Sequence, residues 1–227
     1  MTETSLDKRM KNNYENRYRI KLTRRTPVIM RLDGRAFHTL TKNCVKPYDE
    51  RFNNTMIHTA SYLASEVQGA KCGYIQSDEI SLLITDFDGS MTDAWFDYNI
   101  QKMTSISAGI ASVVFTSRWV QYDVAVFDSR VFNVPKEEVC NYFVSRQKDW
   151  IRNSLTMYAQ SVYSHKELHK KNSKDKHEML HDKGLNWASL DDKWKNGTFI
   201  FNEGGGWSTR SPIIEKNRDL IERYLLI

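Results

Sequence analysis

The chain begins with a polar stretch and then alternates between apolar strand patterns and helical patterns. Residues 1–25 are polar and basic, which predicts a helix or an extended arm. The run PVIMRLDG that follows predicts a buried strand ending in a turn at Asp33-Gly34. From residue 50 to residue 68 the apolar positions have the spacing of an amphipathic helix, and Gly69 is expected to end it.

The middle of the chain predicts a pair of strands and a second helix. The runs CGYIQ and ISLLIT have the composition of strands, and Ser-Asp-Glu at residues 77–79 is the expected turn between them. The helix is expected to run from about residue 95 to residue 117. Its core face is predicted to include Ile106, Ile110 and Val113.

One more strand and a long helix complete the predicted core. The run DVAVFDSRVFNV, residues 123–134, predicts the strand, and Pro135 is expected to open the helix. Strand, helix, strand, strand, helix, strand is the βαββαβ order of an α+β, ferredoxin-like fold. We expect one domain over residues 1–227, with a core at about 25–163 and a charged helical or loop extension with a C-terminal helix at about 164–227.

The extension is polar and basic. Residues 164–183 are strongly charged, which predicts an exposed helix or loop; NEGGGWSTRSP is expected to be a flexible loop and IIEKNRDLIERYLL a terminal helix. Two His-x₃-His pairs in the charged segment leave zinc open as an alternative, but the absence of cysteine there favours a solvated basic surface. The candidates for contact with RNA phosphates are Lys170, Lys171, Lys174 and Lys176.

Composition narrows the class of protein. The 227 residues are 40% hydrophobic, enough for a sizeable core, and the net charge of +5 permits a polyanionic partner without requiring one. Three widely spaced cysteines are expected to be ordinary core residues in a reducing compartment. The first residues do not resemble a signal peptide, and the longest apolar stretch is too short to cross a bilayer. We therefore expect a cytoplasmic protein.

Three carboxylates are predicted to meet at one edge of the sheet. In a split βαβ unit the first two strands are parallel and the third lies between them. Asp33 at the end of the first strand and Asp78-Glu79 after the second therefore come together. Such a cluster needs a cation, and carboxylate oxygens suit Mg²⁺. The alternative is that both acidic stretches are ordinary turns.

Basic residues adjoin the acidic ones and favour a bound triphosphate. RLDGRAFH places Arg31, Arg35 and His38 beside the first aspartate, and KPYDER adds Lys46 and Asp49. Any one of these basic residues could equally be a solvated surface residue. The sequence has no GxxxxGK[ST] motif, which disfavours a P-loop nucleotide site.

Five motifs in this order and spacing resemble one enzyme family. RLDGRAFH, KPYDER, GYIQSDE, FDSRVF and SRQKDWIRN are similar to tRNA-histidine guanylyltransferase and its bacterial and archaeal relatives, the tRNA-guanylyltransferase-like proteins, over about residues 25–185. The resemblance implies a polymerase-type palm. It also implies that Asp33 and Asp78 bind two Mg²⁺ ions with the Gly34 carbonyl, with Glu79 beside them as a third catalytic carboxylate.

The resemblance also assigns nucleotide and RNA-end residues. The positions implied around the triphosphates of ATP and GTP are Arg31, His38, Lys46, Asp49, Ser77, Lys102 and Arg130. Trp95, Asn99 and Lys102 are spaced to share a face of the second helix. On the long helix Arg146, Asp149 and Asn153 share a face and are implied at the activated RNA end; a salt-bridged helix surface is the alternative.

The implied reaction adds nucleotides in the 3′-to-5′ direction at the 5′ end of tRNA. The 5′ phosphate first attacks ATP and releases pyrophosphate, and the 3′-hydroxyl of an incoming NTP then displaces AMP. Eukaryotic members carry the motif His-Ile-Asn-Asn at the positions of Ile151, Arg152, Asn153 and Ser154, so only Asn153 is kept. They also tend to carry Arg where this chain has Asn99. These departures favour templated repair of truncated tRNA over dedicated addition of one G to tRNA-His.

Other interpretations stay open. A palm-type nucleotide cyclase would use the same two strand ends, but it gives no reason for KPYDER or SRQKD. A non-catalytic RNA-binding member is disfavoured by the intact carboxylates. The family resemblance also implies a homo-oligomer, a tetramer.

Overall fold

One six-stranded sheet with helices on both faces organises the protein. The computed structural model describes residues 5–119 and 124–226. The strands are β1 (Val28–Gly34), β2 (Ala70–Gln76), β3 (Glu79–Ile84), β4 (Phe127–Asn133), β5 (Thr198–Asn202) and β6 (Trp207–Arg210). The helices are α1 (Ser5–Asn13), α2 (Phe37–Leu40), α3 (Glu50–Glu66), α4 (Ile100–Arg118), α5 (Lys136–Gln160), α6 (His165–Leu168), α7 (Ser173–Asp182), α8 (Asp192–Asn196) and α9 (Asp219–Glu222).

The sheet has the strand order β4-β1-β3-β2-β5-β6, and every neighbouring pair is antiparallel. Because β1 and β2 are both antiparallel to β3, they run parallel to each other on either side of it. Helix α3 connects β1 to β2, and helix α4 connects β3 to β4. The prediction of an α+β fold is confirmed, and the C-terminal ends of β1 and β2 lie at the same edge of the sheet.

Alternation along β1 divides its side chains between two cores. Val28, Met30 and Leu32 are fully buried with residues of α3 and α4 on one face. Ile29 is buried on the other face, with residues of β2, β5 and α5. The odd-numbered residues that follow it, Asp33 among them, therefore belong to the α5 face. The candidate site is built on that face.

The predicted core face of α4 is wrong for two of its three residues, and only Ile110 packs against the core. The helix begins at Ile100, and its buried residues are Met103, Ser107, Ala111 and Phe115. Ile106 and Val113 are exposed instead, and Ile110 is half-buried. The sequence of α4 carries apolar residues on both faces, so hydrophobic spacing alone did not separate the packed face from the exposed one.

Two predictions for the C-terminal region are also corrected. The stretch expected to be a flexible loop contains β6, which pairs with β5 from Asn202↔Trp207 to Phe199↔Arg210. The aromatic-rich run TFIF followed by Gly-Gly-Gly was a hairpin signal that the sequence interpretation missed. The expected terminal helix is broken into a 3-10 turn at Ile214–Lys216 and the short α9.

The charged segment 164–183 is mostly helical, which is one of the two forms predicted for it. It forms α6 and α7, each opened by a capping box, at Ser164 and at Asn172. Leu168 and Leu180 are buried and pack with Leu155 and other residues of α5 in a small third core. The basic side chains are therefore displayed on α6, on α7 and on the link between them, which carries Lys170 and Lys171.

Smaller boundary differences do not change the architecture. The strand expected from residue 123 begins at Phe127, and position 123 lies outside the described residues. The turn between β2 and β3 is Ser77-Asp78 alone, because Glu79 is the first residue of β3. Among the helices of the described ranges, none has the length and apolar character needed to cross a membrane.

Gly69 should tolerate no side chain. It follows α3 with φ +83°, and a Cβ there would lie 2.2 Å from the Thr85 carbonyl oxygen. We expect Gly69→Ala to lower the free energy of unfolding by at least about 1–2 kcal/mol, from left-handed backbone strain plus the backbone clash. Urea denaturation measures this. Gly205→Ala is the control, because nothing lies within 4 Å of its Cβ position, and an equal loss in both variants would contradict the prediction.

Candidate functional site

Two aspartates meet where β1 ends. Asp33 is the penultimate residue of β1, and Asp78 lies in the β2–β3 turn. The Gly34 amide donates a hydrogen bond of 3.1 Å to the Asp78 carbonyl oxygen, which ties the turn to the end of β1. The convergence expected from the topology is therefore present in the structure.

The register surrounds Asp33 with carboxylates. It lies opposite Glu79 on β3 and opposite Asp128 on β4, so all three side chains share the α5 face of the sheet. Burial, followed by repulsion from Glu79 and Asp128, raises the pKa of Asp33. Burial is also the main cause of the raised pKa of Asp78, and the charge on Asp33 adds to it. A cation at this edge would relieve both effects.

Glu79 is engaged in a different way. It is buried, and its two carboxylate oxygens accept hydrogen bonds from Arg146 of α5: Nε lies 2.8 Å from Oε1 and Nη2 lies 2.7 Å from Oε2. Gln76 donates a third hydrogen bond of 3.0 Å to Oε1, and the Nε of Arg31 lies 3.8 Å from Oε2. The carboxylate is thus neutralised by arginine, and it fastens the sheet edge to α5.

The donor set at the edge suits a hard divalent cation. Among the described residues, no three His, Cys, Asp or Glu side chains are arranged to hold a metal ion. The available ligands are the carboxylates of Asp33 and Asp78 and the carbonyl of Gly34. Mg²⁺ commonly takes one or two carboxylates and fills its other positions with water and phosphate oxygens, so these residues fit it.

A cleft of about 310 Å³ opens beside Asp78, whereas Asp33 is not among its lining residues. Six of the residues singled out in the sequence line it: Gly34, His38, Lys46, Asp49, Ser77 and Asp78. Ser77 is exposed in the turn with φ +48°, and His38 and Lys46 are also exposed. The Lys46 ammonium and the His38 imidazole therefore line the same cleft as Asp78, an arrangement that suits a metal-bound polyphosphate.

Asp49 has a structural role at the cleft wall. It caps α3, with Oδ1 accepting from the Phe52 amide at 2.9 Å and Oδ2 accepting from the Val45 amide at 3.0 Å. Burial raises the pKa of Asp49, but these backbone hydrogen bonds outweigh it and leave the pKa below its usual value. The carboxylate fixes the loop that carries Lys46.

The far end of the cleft is aromatic, and the sequence interpretation missed it. Tyr48 stacks on Trp194 with ring centroids 5.0 Å apart, and Trp150 and Met157 of α5 line the same end. Ser154 lies between Trp150 and Met157 on α5. Its hydroxyl accepts a 3.0 Å hydrogen bond from Trp187 Nε1 and donates one of 2.6 Å to the Trp194 carbonyl oxygen. The i, i+4, i+7 spacing of positions 150, 154 and 157 was the available signal.

Several predicted residues lie outside this cleft. The shared helix face expected for Trp95, Asn99 and Lys102 is wrong, because Trp95 belongs to a 3-10 turn and Asn99 is the N-cap of α4, accepting from the Lys102 amide at 3.0 Å. The exposed Arg130 on β4 pairs with Asp128 at 3.1 Å. Lys102 is exposed over the Phe96 ring.

The α5 trio is a salt-bridged helix surface in this structure. Arg146 Nη1 lies 3.1 Å from an oxygen of Asp149, which also pairs with the exposed Arg152. These partners lower the pKa of Asp149, with the Arg152 hydrogen bond as the largest cause. Asn153 is exposed on the next turn.

The lysines of the charged segment differ in their environment. Lys170, Lys171 and Lys174 are exposed, whereas Lys176 is half-buried and donates a 2.9 Å hydrogen bond to Thr156 of α5. A shallow pocket of about 240 Å³ lies here, with His165, His169, Lys170 and Lys176 among its lining residues. The segment therefore presents a concave basic surface rather than a row of free side chains.

Comparison with known proteins places the chain in a family. Two solved structures of a bacterial tRNA(His) guanylyltransferase (Thg1)-like protein match it. The complex with ATP is 42% identical with a TM-score of 0.93, and the match covers 98% of this chain and 100% of that chain. The complex with GTP is 40% identical with a TM-score of 0.87, and the match covers 99% of this chain and 100% of that chain. The tRNA(His) guanylyltransferase of Schizosaccharomyces pombe is 27% identical over 203 residues, 81% of this chain and 76% of that protein. The family model "Thg1: tRNAHis guanylyltransferase" matches residues 7–135. The chain belongs to this family and is a nucleotidyltransferase of the Thg1-like type.

Proposed function

We propose that the protein adds nucleotides in the 3′-to-5′ direction to the 5′ end of tRNA, as templated repair of truncated ends. The observation that carries the proposal is the pair of aspartates with raised pKa where β1 ends, one of which, Asp78, lines a cleft together with His38 and Lys46. A polyphosphate with its cation fits this charge pattern, and related structures hold ATP and GTP.

The proposed chemistry is two phosphoryl transfers on one edge of a palm-like sheet. An oxygen of the RNA 5′ monophosphate attacks the α-phosphorus of ATP, and pyrophosphate leaves. The 3′-hydroxyl of the incoming NTP then attacks the activated 5′ phosphorus, and AMP leaves with the electron pair of the broken bond. Mg²⁺, when bound, would lower the pKa of the attacking hydroxyl and stabilise charge on the leaving oxygen.

The chain's own residues orient and neutralise the substrates. Asp33, Asp78 and the Gly34 carbonyl would hold the ions, while Lys46 and His38, which line the cleft, would contact the triphosphate. Exposed Ser77 can donate a hydrogen bond to a phosphate oxygen. Lys102 and Arg130 lie outside the cleft wall and would reach a second nucleotide or the RNA end.

Templated repair is preferred to dedicated addition of one G because of what Ser154 does. It occupies the last position of the eukaryotic His-Ile-Asn-Asn motif. In this chain Ser154 is buried and forms hydrogen bonds with Tyr48, Trp187 and Trp194. It is therefore part of the cleft framework and does not face RNA. If base pairing with the opposite strand of the tRNA selects the incoming nucleotide, the protein needs no base-recognising residue at the position of Ser154.

Extension assays with 5′-truncated tRNAs test the proposal. Substrates differ only in the base opposite the missing nucleotide and are incubated with ATP, Mg²⁺ and one of the four NTPs. We expect the added nucleotide to follow that base. Addition of G whatever the opposing base would favour the dedicated enzyme, conversion of NTP without RNA would favour a cyclase, and tRNA binding without extension would favour a non-catalytic member.

The exposed lysines of the charged segment are expected to bind tRNA phosphates. Replacing Lys170, Lys171 and Lys174 together by Gln should weaken tRNA binding and reduce the slope of log K against log salt by roughly 0.7–0.9 for each phosphate that is no longer neutralised. Fluorescence anisotropy at several salt concentrations measures it. Exposed Lys216 provides the control, as Lys216→Gln should leave the slope unchanged. An unchanged slope in the triple variant would mean that the segment is only solvated surface.

Assembly and cellular location belong to the same proposal. We propose a homo-oligomer, with four copies as the family resemblance implies, working in the cytoplasm. Mass measurement in solution tests the oligomer, and fractionation of the source cells tests the location.

A further inference from the structure

The N-terminal arm, residues 1–25, carries the net positive charge of the whole chain. It contains eight Lys and Arg and three Asp and Glu, which gives a net charge of +5. The remaining residues contain 25 of each kind and are neutral as a group. A basic arm on an otherwise balanced protein is typical of an element that binds a polyanion.

The arm keeps much of this charge in solvent. It includes α1 and the 3-10 turn Glu15–Tyr18, and neither has a buried residue. Four of its basic side chains have no partner within the described residues: Lys8, Arg9, Arg17 and Arg19. Tyr14 and Tyr18 lie among these positions and are 59% and 72% exposed. Exposed rings interleaved with basic residues suit RNA, because rings stack on bases while the cations neutralise phosphates.

A left-handed turn next to the arm displays a third aromatic ring. Phe96, Asp97 and Tyr98 are consecutive non-glycine residues with φ of +51°, +51° and +54°. This backbone conformation is unfavourable for residues with a Cβ, and it persists where the surrounding fold imposes it, often at functional sites. The turn leaves Phe96 40% exposed, whereas Trp95 and Tyr98 are buried.

The arm itself holds the turn in place. Two backbone hydrogen bonds of 3.0 Å join residues 20–22 to residues 98–100. Asp97 in the turn forms ion pairs with Lys21 and with Arg24 of the arm. The arm and the turn are therefore one structural unit, and their three exposed rings belong to one surface.

A basic side chain stands beside the ring of Phe96. The Lys102 Nζ lies 5.8 Å from the centroid of this ring, and Lys102 is exposed. The ring also packs against the buried Trp95, with centroids 4.5 Å apart, which restricts its motion. A fixed ring with a cation at its side suits a stacked base whose phosphate meets the ammonium group.

We propose that the arm and the left-handed turn bind unpaired nucleotides of the RNA substrate. Tyr14, Tyr18 and Phe96 stack on bases, and the exposed basic side chains of the arm neutralise phosphates. Unpaired RNA is favoured over a duplex because aromatic side chains reach the faces of bases only where these are not stacked in a helix. The inference rests on the proposed function only in taking RNA as the substrate.

The surface lies at the opposite end of β1 from Asp33. The arm leads into β1 at Val28, and the seven residues of this strand span roughly 20 Å. A few extended nucleotides cover that distance. The unpaired 3′ end of a tRNA, which adjoins the reacting 5′ end, and the tRNA loops are the two sources of such nucleotides.

Binding of a short, unstructured, fluorescent RNA tests the inference. Anisotropy is measured at several salt concentrations without NTP. Tyr18→Leu and Phe96→Leu keep an apolar side chain and remove the ring, so we expect each to weaken binding at least about fivefold without changing the salt dependence. Arg17→Gln with Arg19→Gln should instead reduce the slope of log K against log salt by roughly 0.7 for each phosphate no longer neutralised.

Controls on other exposed positions separate this role from general effects. Tyr62→Leu removes an exposed ring from α3, and Lys216→Gln removes an exposed charge, and both should bind RNA as the wild type does. The melting temperature of every variant shows whether it is folded. Tyr18 is so exposed that its variant tests the inference even if Phe96→Leu disturbs the turn.

Intact tRNA and tRNA without its unpaired 3′ end distinguish the two sources. If the 3′ end is bound, its removal should abolish the difference between the wild type and the ring variants; if a loop is bound, the difference should persist. Unchanged binding by the ring variants, equally strong binding of a duplex of the same length, or equally strong competition by polyglutamate would overturn the inference. Wild-type protein that extends tRNA while the ring variants bind RNA normally would leave the proposed function intact.

Discussion

Asp33→Asn and Asp78→Asn are each expected to abolish nucleotide addition while the fold is retained. The two carboxylates are the ionisable ligands available at the end of β1, and the amide of asparagine cannot supply their negative charge to a cation. Loss of several kcal/mol of charge stabilisation in the transition state corresponds to a fall in rate on the order of 10³-fold. Extension of a 5′-labelled truncated tRNA with ATP, GTP and Mg²⁺ measures the rate.

Stability gives this prediction a second readout. Burial and neighbouring carboxylates disfavour the charged forms of both aspartates in the folded protein. Removing one charge should therefore leave the melting temperature unchanged or raise it, while the rise in melting temperature on adding Mg²⁺ should disappear. Asp128→Asn is the matched control, because that side chain is mostly exposed and paired with Arg130, and it should retain both activity and the response to Mg²⁺. Undiminished extension by the variant of Asp33 or of Asp78 would contradict the assignment.

The meeting of Asp33 and Asp78 could be predicted because it depends only on topology. A split βαβ unit brings the C-terminal ends of its two parallel strands to one edge, whatever the side chains are. Strand and turn signals were sufficient to place each aspartate within a residue of its position. The six cleft-lining residues are close to the same two places in the chain, since they lie at the end of β1, between β1 and α3, or in the β2–β3 turn.

What could not be predicted depends on contacts between distant parts of the chain. The partner of Glu79 is Arg146, 67 residues away, and neither residue indicates the other in the sequence. The stacking of Tyr48 on Trp194 joins residues still farther apart. The orientation of α4 was missed for another reason: its exposed face also carries apolar residues, Ile106 and Val113.

Arg146→Met is expected to destabilise the protein strongly. The Glu79 carboxylate is 9% exposed and takes both of its shortest hydrogen bonds from Arg146. Breaking a buried pair by removing one partner leaves an uncompensated charge and costs roughly 3–5 kcal/mol. Arg31 lies within ion-pair distance of the same carboxylate, so we expect the lower part of that range. Urea denaturation gives the change in the free energy of unfolding.

A double-mutant cycle and a control on the same helix isolate the pair. Glu79→Gln combined with Arg146→Met should be less destabilised than Arg146→Met alone, because no charge is then left buried. Arg152→Met should cost no more than about 1 kcal/mol, since Arg152 is 68% exposed in its pair with Asp149. If Arg146→Met behaved like Arg152→Met, Glu79 would not depend on arginine for its charge, and its carboxylate would be available as the third catalytic carboxylate that the family resemblance implies. A large coupling between the two positions would instead assign Glu79 the role of fixing α5 to the edge that carries Asp33 and Asp78.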